Sequence, residues 1–226
     1  LEMIYNLTSK HDLTTNKLSW YAQDTYRLMV NAGLFTFNGG LRMSYWDFNN
    51  EFLVSPRISI GYIPEFNNSL SFRLSGGLYY QSPFYKEFRE TKTDENGNSY
   101  AELNRDIKSQ RSIQLILGGD YTFRALDRPF KITAEAYYKK LDDIIPYELD
   151  NLKIVYSGRN EADGFIAGID FKFFGQFVPG TDSWFSFSLM KTQENLNGVK
   201  VPRPTDQRYS FGVFFNDYFP KFPKLK

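Results

Sequence analysis

The chain has no cysteine and a single histidine, and these shortages exclude several kinds of chemistry. Without cysteine there can be no disulfide, no thiolate metal ligand and no thiol nucleophile. One histidine cannot build a multi-histidine metal site, and His11 lies in a polar turn sequence that favours a solvated side chain. Because no catalytic constellation assembles from the other residues, we expect no enzymatic activity and no cofactor.

Long apolar runs and a strong net charge are also missing. No stretch of about 18 apolar residues occurs, so the sequence predicts no transmembrane helix. The net charge of +1 gives no electrostatic reason to expect nucleic acid as a partner. Residues 1–5 lack the basic and apolar regions of a signal peptide. Both ends of the sequence are interpreted as cuts through a longer chain.

Aromatic residues are abundant, at 18% of the chain, with 22 Phe and 16 Tyr. The mean hydropathy is nevertheless only -0.46. This combination is typical of a membrane β-barrel, in which alternate residues meet lipid and aromatic girdles mark the two interfaces. A large β-sandwich would also produce it, so composition leaves both architectures open.

Alternation of apolar and polar residues is the main structural signal. In residues 69–80, Leu70, Phe72 and Leu74 alternate with Ser71 and Arg73, which is the period-2 pattern of a strand with one apolar side. The pattern recurs and predicts about ten strands, several of them 12 residues or longer, beyond the usual five or six. These predicted strands are 3–10, 17–28, 34–46, 51–62, 69–81, 107–123, 130–145, 164–177, 183–192 and 207–218.

The connections alternate in length along the sequence. Residues 63–68, 124–129 and 178–182 are predicted to be compact turns, because they are rich in Pro, Gly, Asn and Asp. Residues 82–106, 146–163 and 193–206 are predicted to be long polar loops. Short turns at one end and long loops at the other are typical of outer-membrane barrels. No helix is predicted, and we interpret residues 1–226 as one partial β-barrel domain.

The polar faces of the predicted strands carry charges that would be costly in a dry sandwich core but not in a wet barrel lumen. The predicted lumen-facing charges are Arg57, Arg73, Glu135, Lys139, Asp170 and Lys172. Tryptophans near strand ends are predicted to lie in interfacial girdles, namely Trp20, Trp46 and Trp184.

Two sets of residues in the loop 82–106 are candidate binding sites. Aromatic and cationic side chains of this loop are candidate ligand contacts, although packing on the barrel rim is the favoured interpretation: Phe84, Tyr85, Lys86, Arg89 and Tyr100. Asp94, Asn96 and Asn98 have the spacing of the start of a calcium loop, but Ser99 and Arg105 depart from its continuation. A hairpin tip that turns at Asn96-Gly97 is the favoured interpretation, so these three residues are only a weak calcium candidate and no metal site is predicted.

From about Lys17 onward, the sequence resembles the barrel of TonB-dependent outer-membrane receptors from Bacteroidetes. The resemblance is closest to the class that has an N-terminal carboxypeptidase-regulatory-like domain. The motifs that carry it are E-F-L-V-S-P-R at 51–57, G-L-Y-Y-Q-S-P-F-Y-K-E-F at 77–88, R-P-F-K-I-T-A-E-A-Y-Y-K at 128–139, G-R-N-E-A-D-G at 158–164 and P-R-P-T-D-Q-R at 202–208.

The resemblance implies an all-β, transmembrane, antiparallel up-and-down β-barrel, of which this chain is a fragment. It implies a complete barrel of 22 strands in the Gram-negative outer membrane, filled by a plug domain that carries the TonB box. This chain shows neither plug nor TonB box. The implied function is nutrient import (siderophore, vitamin, glycan or peptide) driven by the inner-membrane proton gradient through TonB. Implied partners are outer-membrane lipid, the TonB complex through the plug, and a surface lipoprotein or another outer-membrane partner. The strand pattern leaves one alternative function open, an exported all-β-sandwich binding or adhesion protein.

Overall fold

The computed structural model describes residues 13–95, 99–150, 153–203 and 206–217, and strands dominate these ranges. Within them, no helix has the length and apolar character needed to cross a membrane. The strands are β1 (Lys17–Val30), β2 (Gly33–Trp46), β3 (Glu51–Pro64), β4 (Leu70–Gln81), β5 (Arg89–Thr93), β6 (Ser99–Leu103), β7 (Gln110–Ala125), β8 (Arg128–Ile144), β9 (Tyr147–Asp150), β10 (Lys153–Tyr156), β11 (Ala162–Gly175), β12 (Ser183–Leu196), β13 (Val199–Val201) and β14 (Tyr209–Phe214).

Ten of these strands form one antiparallel sheet in the order β1-β2-β3-β4-β7-β8-β11-β12. Its last edge is shared, because β13 and β14 both pair with β12, at opposite ends of that strand. Two separate hairpins, β5 with β6 and β9 with β10, are inserted in the long connections. No pairing joins β1 to β14 among the described residues, so the sheet there is open.

The prediction of long antiparallel strands is confirmed, since the eight strands from β1 to β12 in this sheet have 12 to 17 residues each. The predicted strand 3–10 lies outside the described residues. The prediction of long loops was incomplete, because hairpins β5-β6 and β9-β10 and the short strand β13 occur within them. Those strands have only three to five residues, too few to show a clear alternation.

The connections confirm the alternation of short and long at three of the four long-loop positions, the exception being 47–50, which has only four residues. At one end of the sheet, the turns are 31–32, 65–69, 126–127 and 176–182, and at the other end the connections are 47–50, 82–109, 145–161 and 197–208. The turn predicted at 124–129 is only two residues long. Leu126 and Asp127 both have positive φ, of 50° and 62°, as a tight hairpin turn requires.

The register places the charged and the apolar side chains on opposite faces. Arg73 is opposite Gly118, which is opposite Glu135, and Glu135 is opposite Asp170. Next to this row, the apolar row runs Leu74–Leu117–Ala136–Ile169 and belongs to the other face. We call these the polar face and the apolar face.

The apolar face is exposed, with Leu74 at 44%, Leu117 at 57% and Ile169 at 57% of full exposure. A sandwich would bury this face under a second sheet, and within the described residues no sheet covers it. The alternative sandwich architecture therefore fails, because its apolar core does not exist here. An exposed apolar face on a ten-stranded sheet is the arrangement of a wall that faces lipid.

Aromatic rings lie on the apolar face near the short turns. Phe123 stacks on Phe130 at 5.7 Å between centroids, and Phe130 stacks on Phe173 at 5.6 Å. Of the three tryptophans predicted to lie in girdles, Trp20 is on the apolar face and half exposed. The prediction is wrong for Trp46 and Trp184, because the register places both side chains on the polar face. Closeness to a strand end does not show which face of the sheet a side chain occupies, since that depends on whether its position along the strand is odd or even.

Candidate ligand-binding vestibule

The long connections are held over the polar face by a small hydrophobic cluster. Its buried members come from β2, from the connection after it and from the two longest connections: Trp46, Phe48, Phe88, Ile107 and Ile145. Phe48 and Phe88 are 4.7 Å apart between ring centroids, and Trp46 stacks on Phe48 at 5.0 Å. Because Trp46 projects from the polar face, the cluster fixes the connections to that side of the sheet.

Hydrogen bonds from strand ends fasten the same connections. Glu51, at the start of β3, accepts from the backbone N–H of Ser109 at 3.0 Å and from its hydroxyl at 2.5 Å. Asn49 donates to the carbonyl of Ile107 at 2.6 Å. Asn160 bridges two connections, since it donates to the carbonyls of Lys108 and Asp143 at 3.0 and 2.7 Å. The described parts of the connections 82–109 and 145–161 are therefore tied to the strand ends and to each other, and we call them the roof.

Beneath this roof, the polar face contains a cavity of about 360 Å³, which we call the vestibule. Its volume lies within the range of small-molecule sites. Its lining includes side chains from β4, β7, β9 and β10 and one arginine from the connection after β13: Tyr79, Gln110, Gln114, Tyr147, Tyr156 and Arg203. Such side chains offer flat apolar surfaces together with hydrogen-bond donors and acceptors.

Glu87 is the carboxylate of the vestibule, and only 5% of this residue is exposed. Burial raises the pKa of Glu87, and two donors oppose this effect. They are the backbone N–H of Phe84 at 3.0 Å and the Gln110 amide at 3.2 Å. The pKa of Tyr156 is also raised, first by burial and then by the negative charge of Glu87.

The loop residues predicted to contact a ligand lie in and around the roof. Phe84 packs edge-on against Tyr156 at 5.3 Å, and Tyr85 packs edge-on against Phe88 at 5.7 Å. The Arg89 guanidinium lies 5.7 Å from the centre of the Tyr85 ring. Phe84 and Tyr85 keep about two-fifths of their surface exposed, so they pack on the roof and still present a face to solvent.

The remaining predicted loop residues are more peripheral. Lys86 is exposed, and Tyr100 lies on β6 opposite Lys92. In the calcium prediction, Asp94 follows β5, whereas Asn96 and Asn98 lie outside the described residues. Among the described residues, no three His, Cys, Asp or Glu side chains are grouped to hold a metal ion. The expectation of no metal site, with this loop as a weak calcium candidate, stays a prediction.

An ion-pair network lies on the polar face below the vestibule. Arg73 pairs with Asp120 and, at 2.6 Å, with Glu135. Asp120 also accepts from Thr133 at 2.6 Å and lies 3.3 Å from the Lys131 ammonium. Two cations and two carboxylates therefore balance one another across three neighbouring strands.

The other predicted lumen charges share that face and lie near aromatic rings. Arg57 lies 4.4 Å from the centre of the Tyr79 ring, at the edge of the vestibule. The Lys172 ammonium lies 4.4 Å from the Phe174 ring and 4.8 Å from the Trp184 ring. Lys139 lies 5.7 Å from the Tyr137 ring, and Asp170 is opposite Glu135. Arg57, Lys139 and Lys172 therefore lie outside the ion-pair network, and each gains a cation–π contact with an aromatic ring instead.

Sequence reasoning missed most residues of the vestibule. Tyr79 was not singled out, although it shares its strand parity with Arg73 and therefore lies on the polar face. No pattern in the sequence singled out Glu87 or Gln110 as a binding residue. Arg203 and Tyr156 reach the vestibule only because distant connections fold back over the sheet, which no local pattern shows.

The match to a protein-family model agrees with this geometry. The comparison with curated proteins gave no match. The family described as "TonB dependent receptor-like, beta-barrel" matches residues 4–223, which is nearly the whole chain. An open antiparallel sheet with an exposed apolar face, a polar face and connections of alternating length is what a segment of such a barrel requires. The chain belongs to the family of TonB-dependent receptor β-barrels.

Proposed function

We propose that this chain forms part of the wall of an outer-membrane receptor that imports a nutrient in a TonB-dependent manner. In this proposal the wall belongs to a barrel of 22 strands, and a plug domain elsewhere in the protein receives energy from TonB. The vestibule takes the nutrient on its way to the plug. The likeness of the sequence to receptors of Bacteroidetes suggests that a surface lipoprotein delivers or covers the ligand.

The observation that carries the proposal is the position of the vestibule. It lies on the polar face, at the end of the sheet that has the long connections, beneath a roof held by the hydrophobic cluster. In outer-membrane barrels, the long connections face the outside of the cell. A ligand arriving from outside would therefore meet the vestibule before it reaches the rest of the polar face.

The apolar face has the height that a bilayer requires. On β7, the apolar positions run from Ile113 to Phe123, a distance of about 34 Å along the strand at ~3.4 Å per residue. A strand tilt of about 40° reduces this to ~26 Å across the membrane, close to the ~25 Å apolar band of outer-membrane barrels.

The lining of the vestibule favours a neutral ligand rich in hydroxyl or amide groups. Tyr79, Tyr147 and Tyr156 provide flat rings, and Gln110 and Gln114 provide amides that both donate and accept. Sugar rings and peptide bonds match these groups, because each has apolar surface beside hydrogen-bonding atoms. We therefore place an oligosaccharide or a peptide ahead of a siderophore or a vitamin.

The test compares two tyrosines that lie on opposite faces, Tyr79 on β4 and Tyr138 on β8. The complete receptor, purified in detergent, is screened by calorimetry against oligosaccharides, peptides, ferric siderophores and cobalamin. Tyr79→Ala is expected to weaken binding of whichever ligand class the receptor binds about tenfold, or by ~1.4 kcal/mol. Tyr138→Ala is the matched control and should bind as the unaltered receptor does, because Tyr138 lies on the apolar face, opposite Leu115, outside the lining of the vestibule. Equal loss in both variants, or no binding in any class, contradicts the proposal.

Energy dependence is tested separately in cells. Collapsing the inner-membrane proton gradient should stop uptake of the ligand while leaving binding at the cell surface unchanged. Uptake that continues without the gradient would overturn the proposed role in active transport.

A further inference from the structure

On β7 and β8, the apolar face does not remain apolar up to the long connections. On β7 the apolar run ends at Ile113, and the next position on that face is Arg111. On β8 it ends at Tyr138, and the next two positions are Lys140 and Asp142. These residues belong to the apolar face because Ile113 is opposite Lys140 and Arg111 is opposite Asp142. On these strands, a charged zone therefore borders the apolar band on the side of the long connections.

Three cations and one carboxylate form the centre of this zone, which we call the outer basic patch: Arg111, Lys140, Lys191 and Asp142. The register places Lys191 on the apolar face, because it is opposite Ala167. The Lys191 ammonium lies 5.9 Å from the centre of the Phe165 ring. Phe165 is in turn opposite Lys140. A second carboxylate, Asp163, lies one position beyond and accepts from Asn195 at 3.1 Å.

Asp142 holds two of the cations in place. Its carboxylate lies 3.0 Å from Nη2 of Arg111 and 2.9 Å from Nζ of Lys140. The side chain of Asp142 is only 15% exposed, whereas that of Lys140 is 53% exposed. Arg111 uses Nε and Nη2 toward Asp142, and its guanidinium has further N–H donors on Nη1. The carboxylate thus lies beneath the cations and leaves them donors that can bind an external anion.

We infer that the outer basic patch binds the phosphate groups of a phosphorylated lipid in the outer leaflet. The inference rests on the membrane orientation in the proposed function, which places the long connections outside. The patch then lies at the level of lipid headgroups, while the acyl chains cover the apolar band below it. A preorganised arginine and lysine pair suits phosphate, which accepts several charge-assisted hydrogen bonds at once.

The inference is tested by lipid retention in the complete receptor. The receptor is placed in nanodiscs that contain bis-phosphorylated lipid A or its dephosphorylated form, and bound lipid is counted by native mass spectrometry. The double variant Arg111→Gln with Lys140→Gln is expected to weaken retention of the phosphorylated lipid about thirtyfold. This corresponds to ~2 kcal/mol, or ~1 kcal/mol for each cation near a charged membrane surface. The dephosphorylated lipid should be retained weakly by both proteins.

Controls separate the patch from general charge and from misfolding. Lys139→Gln removes the neighbouring charge from the polar face and should leave retention unchanged. The conservative double variant Arg111→Lys with Lys140→Arg should restore most of the retention. Equal loss in Lys139→Gln, equal retention of the dephosphorylated lipid, or displacement of lipid by millimolar inorganic phosphate would each overturn the inference. Lipid retention is measured without nutrient, so its failure is distinct from failure of the import proposal.

Discussion

Replacing Leu117 by arginine tests whether the apolar face meets lipid. Leu117 lies on β7 between Ile113 and Phe123, near the middle of the apolar band, and it is opposite Leu74 on β4 and Ala136 on β8. It lies four residues from Ile113, or about 14 Å along the strand at ~3.4 Å per residue. The arginine therefore has no short path to water past the apolar neighbours.

The expected cost follows from this depth. An arginine at the bilayer midplane of an outer-membrane barrel costs about 2–4 kcal/mol, and the cost falls toward zero near the interfaces. The adjacent residue provides a matched control, because Ile116 has the same volume but lies on the polar face, opposite Ser75 and Tyr137. Ile116→Arg should change the free energy of unfolding by about 0.5 kcal/mol or less, as substitutions in a wet environment do.

The measurement is urea-induced unfolding of the complete receptor in lipid vesicles, followed by tryptophan fluorescence. Folding of each variant is checked by its migration on gels with and without heating. The reasoning is refuted if the two variants cost the same, or if Ile116→Arg costs more than Leu117→Arg. Either result would mean that lipid does not cover the face that contains Leu117.

Two further predictions concern the polar face. Asp120→Asn should lower the free energy of unfolding in vesicles by about 1–3 kcal/mol, because Arg73 and Lys131 lose a mostly buried carboxylate. Asp127→Asn, in an exposed turn, should have little effect, and equal costs would show that the network adds nothing. Because burial raises the pKa of Glu87, the roof should become less stable as pH rises from the unfolded-state pKa through the higher folded-state pKa. Glu87→Gln should remove this dependence in hydrogen exchange of the roof, and an unchanged pH profile would contradict it.

The alternation of apolar and polar side chains was enough to predict most of the fold. Leu70, Phe72 and Leu74 on one side of β4 and Arg73 on the other were assigned correctly because a strand has a period of two whatever its neighbours are. Strand length and the alternation of connections were also readable, since turns require particular residues. The short hairpins of the long connections were not, because three to five residues do not establish a period.

The sequence placed charges such as Arg73 and Glu135 on one face, but it could not show which of them pair. Pairing depends on register between strands that are distant in the chain, and 62 residues separate these two partners. The same limit applied to Trp46, which was predicted to lie in a girdle because it is near a strand end. Its place in a buried cluster depends on Phe88 and Ile107 folding back over β2.

By itself, the sequence determined an all-β chain of long amphipathic strands, because alternation, turn residues and the lack of cysteine act locally and need no partner. Only the tertiary structure decided that the apolar face is left uncovered, that the long connections close over the polar face and that Tyr79, Glu87 and Arg203 meet in one vestibule. The physical reason is that burial and side-chain pairing are properties of strands brought together in register, which no single strand encodes.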